Sequence, residues 1–375
     1  MAAIAFLCRN ESTLRESPRR MQVVDLCGHI WYTFVIMKAW MVTSPHNLEL
    51  VEGPSESAGE GCVKIKVLRS IISAPDVNVY SGKADVMLPV CPGGSCVGMV
   101  IETGDNVGEF TRGDRVYVRS QKSCGTCASC RAGKSWKCEN MKIRGYSCDG
   151  FMRDFAVIPA SDCVKIPDRI KSEEAVFIDY ISIAVQTIAA LDVDKGDYLA
   201  ITGASTLGII LGQVALYYQA VPIIIDSDAE ALEIAKNLGL YYTIDASETD
   251  PRTKIFHITG GNMAERVAHM ASSDIPLTRS IDFTARGGKL AIIGRYGCVN
   301  TLPCSLENAV RNNLTIACIT NGAKNNQVAI NMLVGKAVSV TPLITGETTF
   351  ADVPAALKEE NDIARGHMKT LIKFD

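Results

Sequence analysis

Cys124, Cys127, Cys130 and Cys138 stand at a spacing of C-x2-C-x2-C-x7-C, and thiolates at such intervals can converge on one metal ion. Small residues between them (Gly125, Thr126, Ala128, Ser129) let the loop wrap until four sulfurs meet in a tetrahedron. Seven Lys or Arg residues from Arg119 to Arg144, against the single acid Glu139, would offset the negative charge of four thiolates around a dication. A ferredoxin cluster prefers three residues and then Cys-Pro for its last ligand, whereas seven residues precede Cys138. With all four positions taken by protein, such a zinc is closed to substrate and structural, one per chain. Unligated or redox-active thiols are the competing reading.

A second constellation follows the apolar stretch from Tyr198 to Thr202. The hexapeptide GASTLG, Gly203 to Gly208, has the spacing of a phosphate-binding turn that opens a helix, with Ser205 where the middle glycine belongs. Glycines there let the backbone approach a pyrophosphate, and the helix N-terminus supplies amides and positive dipole. Ser205, Thr206 and Leu207 complete the candidate cofactor turn. Asp226 ends the next apolar stretch, where a carboxylate accepts from ribose hydroxyls and repels a 2′-phosphate, which selects NAD. The competing reading is a strand-turn-helix that binds nothing, with Asp226 as a helix-start residue.

These residues need two kinds of scaffold. From Met37 to about 184 the pattern is one of short strands, as where Val63, Ile65 and Val67 alternate with Lys64 and Lys66, broken by turns at Gly93-Gly94, Gly104-Asp105 and Gly113-Asp114. From 185 to 319 strands alternate with helices: DYLAIT, STLGIILGQVALYYQ, VPIIID, DAEALEIAKNLG, YYTID and later GGKLAIIG. That rhythm predicts an α/β, doubly wound parallel sheet. Residues 320–375 are expected to return to the first, β-rich domain. Residues 1–36 show no clean period and read as an extension, disordered or the product of an upstream start.

A chain of 375 residues exceeds one ordinary core, in keeping with two domains. Its formal net charge of -3 offers no broad basic surface, which argues against a nucleic-acid partner. The apolar run from Ile30 to Met37 is too short for a membrane span, which takes about 20 residues. Fourteen cysteines scattered along a long chain suit reduced thiols plus one metal site, and hence a cytoplasmic location.

The cysteine loop and GASTLGIILGQVALYY together resemble the medium-chain dehydrogenase/reductase superfamily, in its zinc-containing alcohol, polyol and threonine dehydrogenase branch. The resemblance runs from Met37 to the C-terminus. It implies a chaperonin-10-like catalytic domain, a Rossmann domain, hydride transfer between NAD and a small-molecule substrate in the cleft between them, and a homodimer or homotetramer.

Members of the branch usually hold a second, catalytic zinc, and here the chain departs from them. Where the resemblance places C-G-[ST]-D it has Ser73, Ala74, Pro75 and Asp76; where it places G-H-E it has Gly93, Gly94 and Ser95; where it places E-P it has Asp179 and Tyr180. A serine hydroxyl is a weak ligand, glycine offers none, and one carboxylate does not hold zinc. The relay hydroxyl is replaced by Pro75. Ser73, Tyr80, Asp179 and Tyr180 are left as candidate proton donors or substrate contacts. Three readings stand side by side: an NAD(H)-dependent oxidoreductase without catalytic zinc, a non-catalytic NAD-binding sensor or partner subunit, and an ordinary zinc enzyme beneath a misaligned first domain.

Overall fold

A computed structural model describes residues 36–294, 305–362 and 367–374, together with two short strands, Gln22–Val24 and Ile30–Tyr32, that pair antiparallel. The expectation for residues 1–36 otherwise lies outside the described residues.

The first lobe opens with a hairpin, β1 (Ile36–Ser44) and β2 (Asn47–Pro54), followed by the long strand β3 (Cys62–Ile71). Val63, Ile65 and Val67 of β3 are fully buried. Helix α1 (Ala74–Tyr80) leaves the end of β3; strands β4 (Cys96–Thr103), β5 (Arg115–Val118) and, further in the chain, β7 (Cys163–Lys165) extend the lobe's sheet on one side of β3, while β6 (Phe155–Pro159) pairs antiparallel with its other edge. Helix α2 (Ile178–Leu191) then carries the chain across. Its apolar residues face the second lobe, while its first turn stays at the boundary between the two.

In the second lobe β8 (Tyr198–Thr202), α3 (Thr206–Tyr217), β9 (Val221–Asp226), α4 (Ala229–Asn237) and β10 (Tyr242–Asp245) follow the rhythm read in the sequence. Strands β11 (Ala264–Met270), β12 (Thr284–Ile293) and β13 (Thr315–Ile319) complete six parallel strands in the order β10-β9-β8-β11-β12-β13. The order reverses between β8 and β11, and the crevice at the carboxyl ends of those strands is where open α/β sheets bind ligands. Isoleucines 223, 224 and 225 of β9 are all buried, as a strand covered on both faces requires.

After helix α5 (Asn326–Val334), which packs on α2, the chain returns to the first lobe. Strand β14 (Ile344–Thr349) pairs parallel with β15 (Lys369–Lys373), and β15 runs antiparallel to β3 with Leu371 opposite Ile71. The α/β class, with a β-rich lobe beside a doubly wound sheet, is therefore as expected.

Candidate functional site

The four cysteines of the loop meet. Their Sγ atoms lie within 4.8 Å of one another, and Cys138 is buried. Backbone amides turn toward the sulfurs: Cys124 N–H donates to Cys138 Sγ at 3.2 Å, Cys127 N–H to Cys124 Sγ at 3.3 Å, and Cys130 N–H to Cys127 Sγ at 3.5 Å. The amides of Thr126 and Cys127 hold the Cys124 thiol down at about 5, while burial pushes Cys130 up to about 12. Four convergent sulfurs, with amides aimed at them, fit a tetrahedral zinc. Charge compensation differs from the expectation in one respect. Arg144 does not face the thiolates: its guanidinium is buried, with Nη2 donating to Asp162 Oδ2 at 2.6 Å and Nη1 to the carbonyls of Arg119 and Gln121.

At the carboxyl end of β8 the glycine turn takes the form its residues dictate. Gly203 has φ +111°, and a Cβ there would lie 2.9 Å from Met270 Cβ. A Cβ on Gly208 would lie 2.0 Å from the Gly203 carbonyl oxygen, so this position accepts only glycine. Ser205, in place of the middle glycine, is the N-cap of α3, its Oγ accepting from Gly208 N–H at 3.4 Å. Asp226 Oδ2 accepts from the turn amide of Ala204 at 2.6 Å, and Oδ1 from the amides of Ser227 and Asp228. Besides standing where a ribose would reach it, this carboxylate clamps the turn to β9, a role the sequence does not display.

Three cavities run in line from this carboxylate across the cleft. The first is lined by Ala204, Ser205, Asp226, Asp228 and Asp274, with His367 and Met368 from the segment before β15. Ser205 is shared with the second, which holds Thr206, Leu207, Met270, Gly294, Tyr180, Pro75 and Lys369. Lys369, with Nζ 6.0 Å from the centroid of the Tyr180 ring, puts a cation beside the N-terminus of α3. Sequence reasoning missed it, and nothing local in HMKT marks it out from any other surface lysine.

Pro75 is shared in turn with the third cavity, lined by Ser73, Asp76, Gly94, Ser120, Gln121, Ile143, Arg144, Asp179 and Thr320. The positions matched to the catalytic-zinc ligands through the resemblance, Ser73, Gly94 and Asp179, thus come together from α1, the loop before β4, and α2. Cys and His are absent from this lining; His46, His257, His269 and His367 lie elsewhere, and His29 is outside the described residues. Asp76 is already committed, with Oδ2 accepting from Ser73 N–H at 2.9 Å and from Ser73 Oγ–H at 2.5 Å, and Oδ1 from Gly93 N–H at 2.7 Å. This donor set does not fit a zinc ion. Asp179 and Tyr180 are adjacent in the chain yet part company, the first facing this cavity and the second facing the cofactor side. Tyr80 lies apart from the other candidates. Its ring is buried in the first lobe, edge-on to His46 with centroids 5.3 Å apart, and lines none of the three cavities.

Comparison with known proteins agrees with this geometry. The alcohol dehydrogenase GroES-like domain matches residues 59–168, and the zinc-binding dehydrogenase domain matches residues 206–359. L-threonine 3-dehydrogenase of Pyrococcus horikoshii is 32% identical over 266 residues, 69% of this chain and 76% of that protein. An uncharacterized zinc-type alcohol dehydrogenase-like protein of Haemophilus influenzae is 27% identical over 335 residues, 89% of this chain and 97% of that one. Among solved structures, a protein of Escherichia coli CFT073 described as a short chain alcohol dehydrogenase, complexed with NADH, superposes with a TM-score of 0.82 at 25% identity, covering 90% of this chain and 99% of its own.

Proposed function

This chain belongs to the medium-chain dehydrogenase/reductase superfamily, in its zinc-type alcohol dehydrogenase branch, and we propose that it works as an NAD(H)-dependent oxidoreductase whose zinc is confined to the cysteine loop, one ion per chain. Hydride moves between the nicotinamide and a small carbonyl, alcohol or activated C=C substrate. The observation that carries this reading is the row of cavities. It runs from Asp226, past the turn at Ser205 and Thr206, to a polar pocket at Asp179 with no thiol or imidazole in its lining. The first two would hold NAD, with Asp226 available to the ribose hydroxyls and the amides of α3 and Lys369 to the pyrophosphate. Asp228 and Asp274 add negative charge around Asp226 and disfavour a 2′-phosphate.

A second copy of the chain is the natural partner. Strand β13 is the last in its sheet, with an unpaired edge among the described residues, and Leu306, Val310 and Ile316 are exposed beside it. Edge-to-edge pairing would join two sheets in a homodimer, which can pair again as a homotetramer. None of the ten cysteines among the described residues is in a disulfide, which suits the cytoplasm. No described helix is long and apolar enough to cross a membrane.

The test is elemental analysis of the purified protein together with NADH oxidation against an enone and an α-dicarbonyl. One zinc per chain with turnover is expected. Two zincs per chain would overturn the reading of the cleft, and tight NADH binding without turnover would favour a sensor or partner subunit.

A further inference from the structure

The pocket at Asp179 is built of polar groups that the interior has almost wholly removed from water. Ser73, Asp76, Ser120, Gln121, Arg144 and Asp179 are each at least nine-tenths buried. Ser120 Oγ–H donates to Asp179 Oδ2 at 3.2 Å, fixing one carboxylate oxygen. Asp179 stands in the first turn of the 14-residue helix α2. Next to Ser120, the side-chain oxygen of Gln121 is buried without a hydrogen-bond partner. Interiors rarely leave such an acceptor unmatched, and an ordered water or a bound O–H or N–H donor can fill the place. The space they enclose is about 20 Å³, enough for one oxygen-bearing group. Other charged groups face it in closed arrangements: Asp76 from α1 is held by Ser73 and Gly93, and Arg144 by Asp162.

We propose that Asp179 is the catalytic acid and base of a metal-free centre, with Ser120 orienting its carboxylate and the Gln121 side-chain oxygen accepting from the hydroxyl of the alcohol. The proposal rests on the oxidoreductase reading above and deepens it. In the reducing direction, hydride leaves NADH for the carbonyl carbon, the C=O π pair withdraws to oxygen, and that oxygen takes the proton of the Asp179 carboxyl. NAD+, the alcohol and a carboxylate result, and solvent returns the proton to the carboxylate once the alcohol leaves. Oxidation is the reverse, with the hydroxyl proton passing to the Asp179 carboxylate as hydride passes to NAD+.

The experiment measures NADH-dependent reduction of 2,3-butanedione across pH in the full chain, with NADH affinity read separately by fluorescence. Asp179→Asn is expected to lower kcat by roughly 10²- to 10⁴-fold with NADH affinity kept within about twofold, and to abolish the fall of kcat with rising pH. Ser120→Ala removes a hydrogen bond to the charged carboxylate, so the pH limb of kcat should move upward, which a purely structural role would not produce. This second variant carries the test if Asp179→Asn does not fold. A wild-type rate and pH profile retained in Asp179→Asn, or an unmoved limb in Ser120→Ala, overturns the proposal and leaves the oxidoreductase reading standing. A wild-type protein that binds NADH and reduces none of the activated carbonyls or enones overturns that reading, and the proposal with it.

Discussion

The cysteine loop and the pocket at Asp179 are built in opposite ways. The loop draws its four sulfurs from a single segment, Cys124 to Cys138, and its own amides already point at them. The pocket gathers Ser73, Gly94, Ser120, Asp179 and Thr320 from across the first lobe, α2 and the residue after β13 of the second lobe. A local site stands or falls on a few residues at fixed spacing. An assembled site can lose every metal ligand and still keep its walls, because those walls also serve the core. Ser73 and Asp76 show this, bonding each other and Gly93 while they line the cavity.

The sharpest way to break the contrast is to attack the local site. Cys127→Ser removes one of four ligands from the loop, and the zinc content is expected to fall from one per chain toward zero. Structural zinc binding is folding free energy, so a loss of several kcal/mol, roughly 10 °C in melting temperature, should accompany it. NADH affinity of the protein that remains folded should stay within about twofold, since no cysteine of the loop touches the cofactor cavities. Unchanged zinc and unchanged melting would remove the assignment.

The second comparison concerns acid. His269, in the middle of the Rossmann sheet, is buried with Nδ1 at 3.0 Å from both Thr202 Oγ1 and Ser280 Oγ, and burial holds its pKa down at about 4. The folded protein keeps this imidazole neutral where the unfolded chain, with an ordinary histidine near 6.5, takes up a proton. Its contribution to stability is therefore full above about pH 6.5 and is lost as pH falls from there toward 4, at most about 3 kcal/mol in all. Urea unfolding at pH 7 and pH 5 should show the loss, and His269→Asn should flatten it. The same loss in that variant would move the cause to other groups.

A smaller effect is expected at Asp226. Replacing it with Ala should weaken NADH binding by roughly 2 kcal/mol, since both the clamp on Ala204 and the ribose contact go, while NADPH binding changes little. Zinc content and melting of the first lobe should not move. Calorimetry showing a native preference for NADPH would refute the role given to this carboxylate.

Legibility followed the same division. The cysteine loop, the turn at Gly203 and the alternation of strands and helices from 198 to 245 could be read because each depends on residues close in sequence. Strand β11 was not read, although it is central to the sheet, because Glu265, Arg266 and His269 interrupt its apolar run. Tertiary partners make those residues tolerable: Glu265 accepts from the Tyr198 amide, Arg266 pairs with Asp197, and Thr202 and Ser280 satisfy His269. Tyr80 looked available for chemistry for the complementary reason, since a polar aromatic residue near a degenerate motif gives no hint that its ring is packed against His46.

By itself, then, the sequence determined the two-part α/β architecture, the spacing of the thiolate loop and the glycine turn, all properties of residue type at short range. Only the tertiary structure decided that Asp179 and Tyr180 part to serve different cavities, that Lys369 reaches the cofactor cleft from the end of the chain, and that Arg144 is spent on Asp162. The reason is geometric. Direction and distance between segments remote in the chain are set by how the two lobes pack, and no local spacing encodes them.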